Sequence, residues 1–410
     1  MVLSCIEIKK MGNDSGYIVE MNNSGKYVMT EVGNRKCNNN DLCMVESEYF
    51  DYMYTTGIFP DTSQWILIAA YIVVFLVGIV GNVLVCCVIW KNRSMRTVTN
   101  MFIVNLSIAD IAVIVMCLPL TLLVDITETW FLGTVICKIN QFTMTTSIAV
   151  SVLTLTAISV ERWYAICHPL RFHSTVRRAR VIIFVIWLLS LCIALPETIA
   201  AEEVRQWHEY VLFAACFPVR LGLTGLMIWQ FCLIIGLYVL PICLMGFTYT
   251  HIAYVLYTGG VPGESRPQRP MLGSSGNENE AQLEARKKAA KMLFAIVLLF
   301  ALCFLPNHLL NILRYAGVLH DVENVETFAL IAHLAIFLNS CLNPIIYNFM
   351  SDKFRKAFRQ VLSACLHCRC KNNRGTCGVS DGYKVTFNNT PTMSFNLTMR
   401  CEQRKKRVLL

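Results

Sequence analysis

Long apolar runs alternate with short polar interruptions along this chain, and the apolar runs set the element lengths. Seven windows, near 65–90, 100–124, 134–160, 180–200, 226–256, 289–316 and 326–349, approach the roughly 20 residues that a helix needs to cross a bilayer core. The fourth is the least clean, because its apolar signal fades toward Glu197. Residues 1–62 are polar, rich in Asn and without helical period, so they are expected to form a disordered tail. Residues 258–284 carry Gly259-Gly260, Pro262-Gly263 and Arg266-Pro267, the composition of a flexible linker. Beyond the last window, Phe354, Ala357, Phe358, Val361 and Leu362 recur at helical spacing between Lys353, Arg355, Lys356 and Arg359. That pattern predicts a short amphipathic helix over 351–364 on a membrane surface, followed by a tail over 365–410. The pattern therefore predicts an all-α membrane protein: a seven-transmembrane helix bundle over 63–350 with a short amphipathic eighth helix. No internal repeat appears, which argues against an inverted-repeat transporter.

Composition agrees, with 55% hydrophobic and only 15% charged residues and a mean hydropathy of +0.50. A soluble chain carries far more charge. The net charge of +9 is unevenly spread. Lys91, Arg93, Arg96, then Arg171, Arg177, Arg178, Arg180, then Arg286, Lys287, Lys288, Lys291 occupy one set of loops, and Lys353, Arg355, Lys356 and Arg359 follow the seventh window. The alternate loops hold Asp125, Glu128, Glu202, Glu203, Asp321, Glu323 and Glu326. The positive-inside rule then places the N-terminus outside and the C-terminus in the cytosol of a plasma-membrane protein. The asymmetry accounts for the basic balance through anionic lipid, with no nucleic acid as partner. Met1–Lys10 lacks the pattern of a cleavable signal peptide, so the first span is expected to act as signal-anchor.

On the outer side, Asn13-Asp14-Ser15 and Asn22-Asn23-Ser24 are glycosylation sequons. Asn388 and Asn396 match the same pattern on the cytosolic side and are expected to stay bare. Of the 19 cysteines, many lie in apolar windows, where a free thiol behaves as a small apolar group. Cys37 and Cys43 can pair in the outer tail or remain free. Cys365, Cys368 and Cys370 follow the amphipathic helix, where they can carry palmitate or form a plain cysteine cluster.

Polar residues inside apolar windows carry the chemistry. Asp110 stands in the middle of the second window, where a carboxylate is costly and by default functional. Asn82, Ser151, Asn339, Ser340 and Asn343 lie at similar depth. Together they offer a hard oxygen site for a metal such as sodium, an allosteric ion and the only cofactor foreseen, or else a hydrogen-bond cluster that joins helices. Pro241, Pro306 and Pro344 bend the last three windows; such bends serve as pivots or are simply tolerated in membranes. Glu161-Arg162-Trp163 ends the third window. An acid–base pair there is a switch candidate, against the alternative of a static surface ion pair of little worth.

Several motifs occur in the corresponding spans and in one order: Gly81-Asn82-Val83, Asn105-Leu106-Ser107-Ile108-Ala109-Asp110, Glu161-Arg162-Trp163, Trp187, Cys303-Phe304-Leu305-Pro306 and Asn343-Pro344-Ile345-Ile346-Tyr347. Together they resemble the rhodopsin-class G-protein-coupled receptor signature over residues 65–360. Met95-Arg96-Thr97-Val98-Thr99-Asn100, Asp125-Ile126-Thr127-Glu128-Thr129-Trp130-Phe131 and Arg162-Trp163-Tyr164-Ala165-Ile166-Cys167-His168-Pro169-Leu170 resemble the orexin and allatotropin receptors. Tryptophan after the arginine is typical of that group. The resemblance implies a neuropeptide agonist, a heterotrimeric G protein of Gq type with calcium mobilisation, and arrestin as a further partner. It also implies a bridge between Cys137 and Cys216. Another class A receptor for an amidated peptide, such as a neuropeptide FF-like one, is the alternative.

The resemblance assigns Asp125, Asn311 and His333 to the ligand pocket. Met144 stands where orexin receptors carry a glutamine, and Phe337 where they carry a tyrosine. Cys216 is followed by Phe217-Pro218 instead of an acidic pair, and Glu161 replaces an aspartate. The first three departures make the pocket less able to hydrogen-bond and leave the peptide open. In the implied switch, Glu161 restrains Arg162 until span six pivots at Pro306 and frees Arg162 toward Tyr249 and Tyr347. Rival readings find little support. The chain has no His-Glu-x-x-His or Gly-x-Ser-x-Gly, so an enzyme is not expected. Residues 326–349 hold no lysine for retinal, and no aspartate near Met144 awaits an amine.

Overall fold

The computed structural model describes residues 16–21, 27–32, 62–127, 129–168, 175–204, 214–258, 276–315 and 325–373. The chain divides into two compact units, Met1–Leu362, which holds all the spans, and Ser363–Leu410, of which the helical stretch through Asn373 is described. Seven helices are long and apolar enough to cross a membrane. They are α1 (Thr62–Lys91), α2 (Val98–Thr127), α3 (Gly133–Cys167), α4 (Val176–Ala200), α5 (Thr224–Thr258), α6 (Gly276–Tyr315) and α7 (Val325–Met350). An amphipathic α8 (Asp352–Asn373) follows. The seven-helix bundle read from the apolar windows is the observed architecture.

Local chemistry fixes where these helices start and bend. Thr97 and Thr175 cap α2 and α4, each side chain accepting from a backbone N–H three residues on, at 3.3 Å. The α-helical pattern of α2 breaks at Cys117, two residues before Pro119, whose ring removes a backbone donor. Helix α5 holds a π-helical turn, Ile235–Val239, just before Pro241; the missing proline N–H again shifts the ladder. Pro196, Pro306 and Pro344 lie within α4, α6 and α7.

Three expectations change. The N-terminal tail, expected without regular structure, carries an antiparallel hairpin, β1 (Gly16–Met21) with β2 (Tyr27–Val32). Both strands are rich in β-branched and aromatic residues, and Asn22-Asn23-Ser24-Gly25 between them is a turn composition. The linker expected over 258–284 gives way to helix at Gly276, because Ala281-Gln282-Leu283-Glu284-Ala285 are strong helix formers. Helix α8 runs on past residue 364 to Asn373, since neither glycine nor proline intervenes before Gly375. Asn13, Asn22, Cys37, Cys43, Asn388 and Asn396 lie outside the described residues, as do the side chains of Cys365, Cys368 and Cys370.

Helix α3 is the inner strut, packing on α2, α4, α5 and α6. The apolar windows of α2 and α3 are 61% buried, those of α4 and α5 only 22%, so the latter pair turns most of its surface to lipid. The largest apolar cluster gathers Phe102, Ile158, Met245, Ile252, Phe300 and Tyr347, and Phe354 and Phe358 of α8 seat on it. A polar tie crosses three helices: Trp187 Nε1 donates to Asn105 Oδ1 at 2.8 Å, and Asn105 Nδ2 donates to Thr154 Oγ1 at 2.8 Å. Among apolar side chains such a bond persists because its groups have no water to turn to.

Helices α1 and α7 meet at Gly81. A Cβ built there would stand 2.9 Å from the Pro344 ring, which cannot rotate away. Gly81→Ala is expected to cost roughly 1–3 kcal/mol through overpacking, seen as a lower thermal midpoint of the detergent-solubilised protein. An unchanged midpoint would contradict this close approach.

Candidate functional site

At the end of the bundle where α3 begins, a short hairpin of β3 (Glu202–Val204) and β4 (Ala215–Phe217) folds back. Cys216 of β4 is bridged to Cys137 of α3, with Cα atoms 5.5 Å apart. Trp130 is buried against this bridge; its backbone N–H donates to Ala214 O at 2.7 Å and its indole donates to Gly133 O at 2.9 Å. The disulfide and the tryptophan hold the hairpin on α3, where a bridge closing a long loop also restricts the unfolded chain.

Beneath lies a cavity of ≈ 310 Å³, lined by Asp125, Met144, Glu197, His308, Asn311, His333 and Cys216 among others. Asp125 and His333, from α2 and α7, are in direct contact: His333 Nδ1 lies 3.0 and 2.9 Å from the two carboxylate oxygens. Tyr71 of α1 donates to Leu330 O at 3.1 Å and to Asp125 Oδ2 at 3.4 Å. Asp125 thus has its polar contacts within the protein. Glu197, in the last turn of α4, accepts from Thr145 Oγ1 at 3.0 Å and lines the cavity together with Arg314 of α6.

Of the five pocket residues expected from sequence, Asp125, Met144, Asn311 and His333 line the cavity. Phe337 does not: it is fully buried one turn along α7, tilted against Tyr71 with ring centroids 6.2 Å apart. Glu197 and Tyr71 were not anticipated as site residues. The fading hydropathy at Glu197 was its signal; Tyr71 looks like any aromatic in an apolar span.

In mid-bundle, Asn343 Nδ2 donates to Asp110 Oδ2 at 2.9 Å, and Asn82 Nδ2 donates to Gly78 O and Ser340 O at 2.9 and 3.0 Å. Ser151, Asn339 and Ser340 are buried as well. Among the described residues, Asp110 Oδ1 and Asn82 Oδ1 are buried acceptors with no hydrogen-bond donor. Two such oxygens, one of them from a carboxylate, fit a small hard cation.

At the far end of α3, Glu161 grips Arg162 twice, Nε to Oε2 at 2.6 Å and Nη2 to Oε1 at 2.7 Å. Thr99 of α2 donates to Glu161 Oε2 at 3.2 Å. The Glu161 side chain is 7% exposed and that of Arg162 28%, so the pair sits at the rim of the apolar interior. Trp163 Nε1 donates to His251 Nδ1 of α5 at 3.0 Å. Arg162, Tyr249 and Arg286 line a cleft of ≈ 280 Å³ between α3, α5 and α6. Tyr347 turns away from it, stacked on Phe354 of α8 at 5.4 Å. Lys288 of α6 reaches Asp352 of α8 at 2.5 Å, and its hydrogen bond, with that from Arg355, holds the Asp352 carboxyl below the usual carboxylate range.

A cavity at one end of a seven-helix bundle, a restrained arginine at the other and a single helix lining both define a transmembrane receptor. The chain belongs to the rhodopsin family: residues 81–347 match "7 transmembrane receptor (rhodopsin family)". It is similar to a QRFP-like peptide receptor of Branchiostoma floridae, 32% identical over 76% of this chain and 80% of that one. It is likewise similar to neuropeptide FF receptor 1 of Rattus norvegicus, 34% identical over 73% of this chain and 70% of the other. The protein is a multi-pass plasma-membrane neuropeptide receptor that works with a G protein, and its family consists of receptors, not enzymes. The narrower orexin and allatotropin grouping is not specifically shown by these relatives.

Proposed function

We propose that this receptor takes an amidated neuropeptide of the neuropeptide FF-like or QRFP-like kind and signals through Gq to calcium. The observation that carries the reading is the pair of carboxylates that line the cavity, Asp125 joined to His333 and Glu197 held by Thr145. The two similar receptors, by their names, favour this over an orexin-like or allatotropin-like peptide. In this reading Glu197 takes a basic side chain, while Asn311 and the Asp125–His333 pair hold the amide end and polar groups. Met144 supplies an adaptable apolar floor.

The cavity then faces outside, along with the N-terminus, and Arg162 faces the cytosol, as the basic loops require. Peptide binding draws the outer ends of the helices inward, and α6 swings about Pro306, which lacks the backbone bond that would stiffen it. The cleft beside Arg162 and Tyr249 widens, Arg162 leaves Glu161, and the G protein docks there; arrestin uses the same face. Tyr238 of α5 donates to Ala301 O of α6 at 2.8 Å and keeps the two helices moving together. The peptide drives this only as far as it binds the open arrangement better.

A sodium ion held by Asp110, Asn82 and Asn343, with Ser151, Asn339 and Ser340 around it, neutralises the mid-bundle carboxylate when bound and thereby stabilises the closed arrangement. Glycans on Asn13 and Asn22 and palmitate on Cys365 and Cys368, which keeps α8 on the lipid, complete the proposal.

In cultured cells with a calcium readout, peptides of the two favoured kinds are expected to give responses at nanomolar to micromolar levels (roughly −12 to −8 kcal/mol). A response confined to orexin-like or allatotropin-like peptides would reverse the assignment, and silence to all four would remove it. Glu161→Gln is expected to raise basal calcium signalling severalfold at equal surface expression; an unchanged basal level would contradict the restraint on Arg162. Sodium is expected to weaken agonist binding in membranes from the wild type and not from Asp110→Asn. Equal sodium sensitivity in both would exclude the ion site.

A further inference from the structure

Trp163 is half-buried at the rim of α3, and the switch just described gives it no task. Its indole N–H donates to Nδ1 of His251 on α5, 88 residues away, at 3.0 Å. An indole nitrogen only donates, so His251 Nδ1 carries the lone pair and the ring proton sits on Nε2. The Cys167 sulfur, one turn beyond Trp163, lies 3.3 Å from the same nitrogen. Two side chains of α3 thus meet one ring nitrogen of α5. The rings reinforce the contact: His251 meets Trp163 edge-on at 6.0 Å and stacks on Phe247 at 6.3 Å. His168, which ends α3, meets the indole edge-on at 5.0 Å.

This joint is one residue from Arg162 on α3 and two residues from Tyr249 on α5, two groups that line the cleft between those helices. A fixed distance between the helices at Trp163 is therefore a fixed width of that cleft on its α5 side. It coexists with the closed Glu161–Arg162 pair. We infer that Trp163 and His251 form an interhelical clamp that positions α5 against α3 and sets how readily the Arg162 cleft opens. His251 is a positioning residue: it acts through Trp163 and the cleft width and need not touch the G protein. This rests on the reading of the Arg162 end as the signalling face.

The test is a double-mutant cycle in the full-length receptor with His251→Leu, Trp163→Phe and both together, plus His251→Asn, whose amide oxygen can still accept. Basal and peptide-stimulated calcium signalling are measured at matched surface expression. The thermal midpoint of the purified protein is read alongside. Each single variant is expected to raise basal signalling roughly two- to tenfold, the shift that loss of one interhelical hydrogen bond brings. The double variant should add little, and His251→Asn should recover part of the loss. Additive effects, or single variants that leave basal signalling at the wild-type level, would overturn the clamp. So would coupling confined to the thermal midpoint, which marks a bond that only stabilises the fold. If Trp163→Phe does not reach the surface, the contrast between His251→Leu and His251→Asn decides alone, equal basal levels overturning the clamp. A wild-type receptor that mobilises calcium to no peptide removes the proposed function instead; the thermal cycle still reports the bond.

Discussion

An arginine can stand at the rim of this apolar bundle because Glu161 holds it with two charge-assisted hydrogen bonds. Neither charge tolerates the other's absence there. A lone guanidinium would have to turn out to water or draw in an anion, and a lone buried carboxylate would be a larger penalty still. In the proposed switch the pair makes the end of α3 bistable. Arg162 is satisfied against Glu161, or it is satisfied by a partner that enters the cleft. Nothing between those arrangements is cheap, which is what lets a small change elsewhere be read as a change of state.

In the proposed function the change arrives through α3. The same helix begins at the disulfide to β4, passes Met144 and Thr145 at the cavity and Ser151 beside the Asp110 network, and ends at Glu161-Arg162-Trp163. Its neighbours are tied to it by polar bonds that have no competition from water, as in the Trp187–Asn105–Thr154 chain. By contrast α5 and α6 carry the irregular backbone, a π turn ahead of Pro241 and an in-helix Pro306. In the proposed switch the strut and the bent helices divide the work: one holds register, the others move.

Much of this was legible because membrane crossing leaves a coarse signal. Apolar windows of fixed length, basic loops on alternate sides and intramembrane prolines are local features, and they gave the bundle and its breaks. Asp110 and Glu161-Arg162 were legible because charge is expensive where they lie. The errors came where composition understates structure. A tail rich in Asn still holds a hairpin over Gly16–Val32, and a Gly-rich linker turns into helix at Gly276. Pairings across long sequence distances stayed hidden. Nothing in the one-dimensional pattern joins Tyr71 to Asp125, or Trp163 to His251. Phe337 was misplaced because a resemblance transfers a position and leaves its rotamer undecided. Trp163 also pointed toward a narrower grouping than the relatives show, since one residue that packs on a histidine of α5 says nothing about the peptide.

The central claim is that occupation of the Asp125–Glu197 cavity opens the cleft at Arg162. It is tested most directly by the distance between spin labels on Arg177 of α4 and Lys291 of α6, both exposed. The labels are attached through unnatural amino acids so that the cysteines stay intact. The account predicts a distance population that lengthens when an activating peptide binds and is already partly lengthened, without peptide, in Glu161→Gln. Identical distance distributions in all three samples, with the peptide shown to be bound, would contradict it.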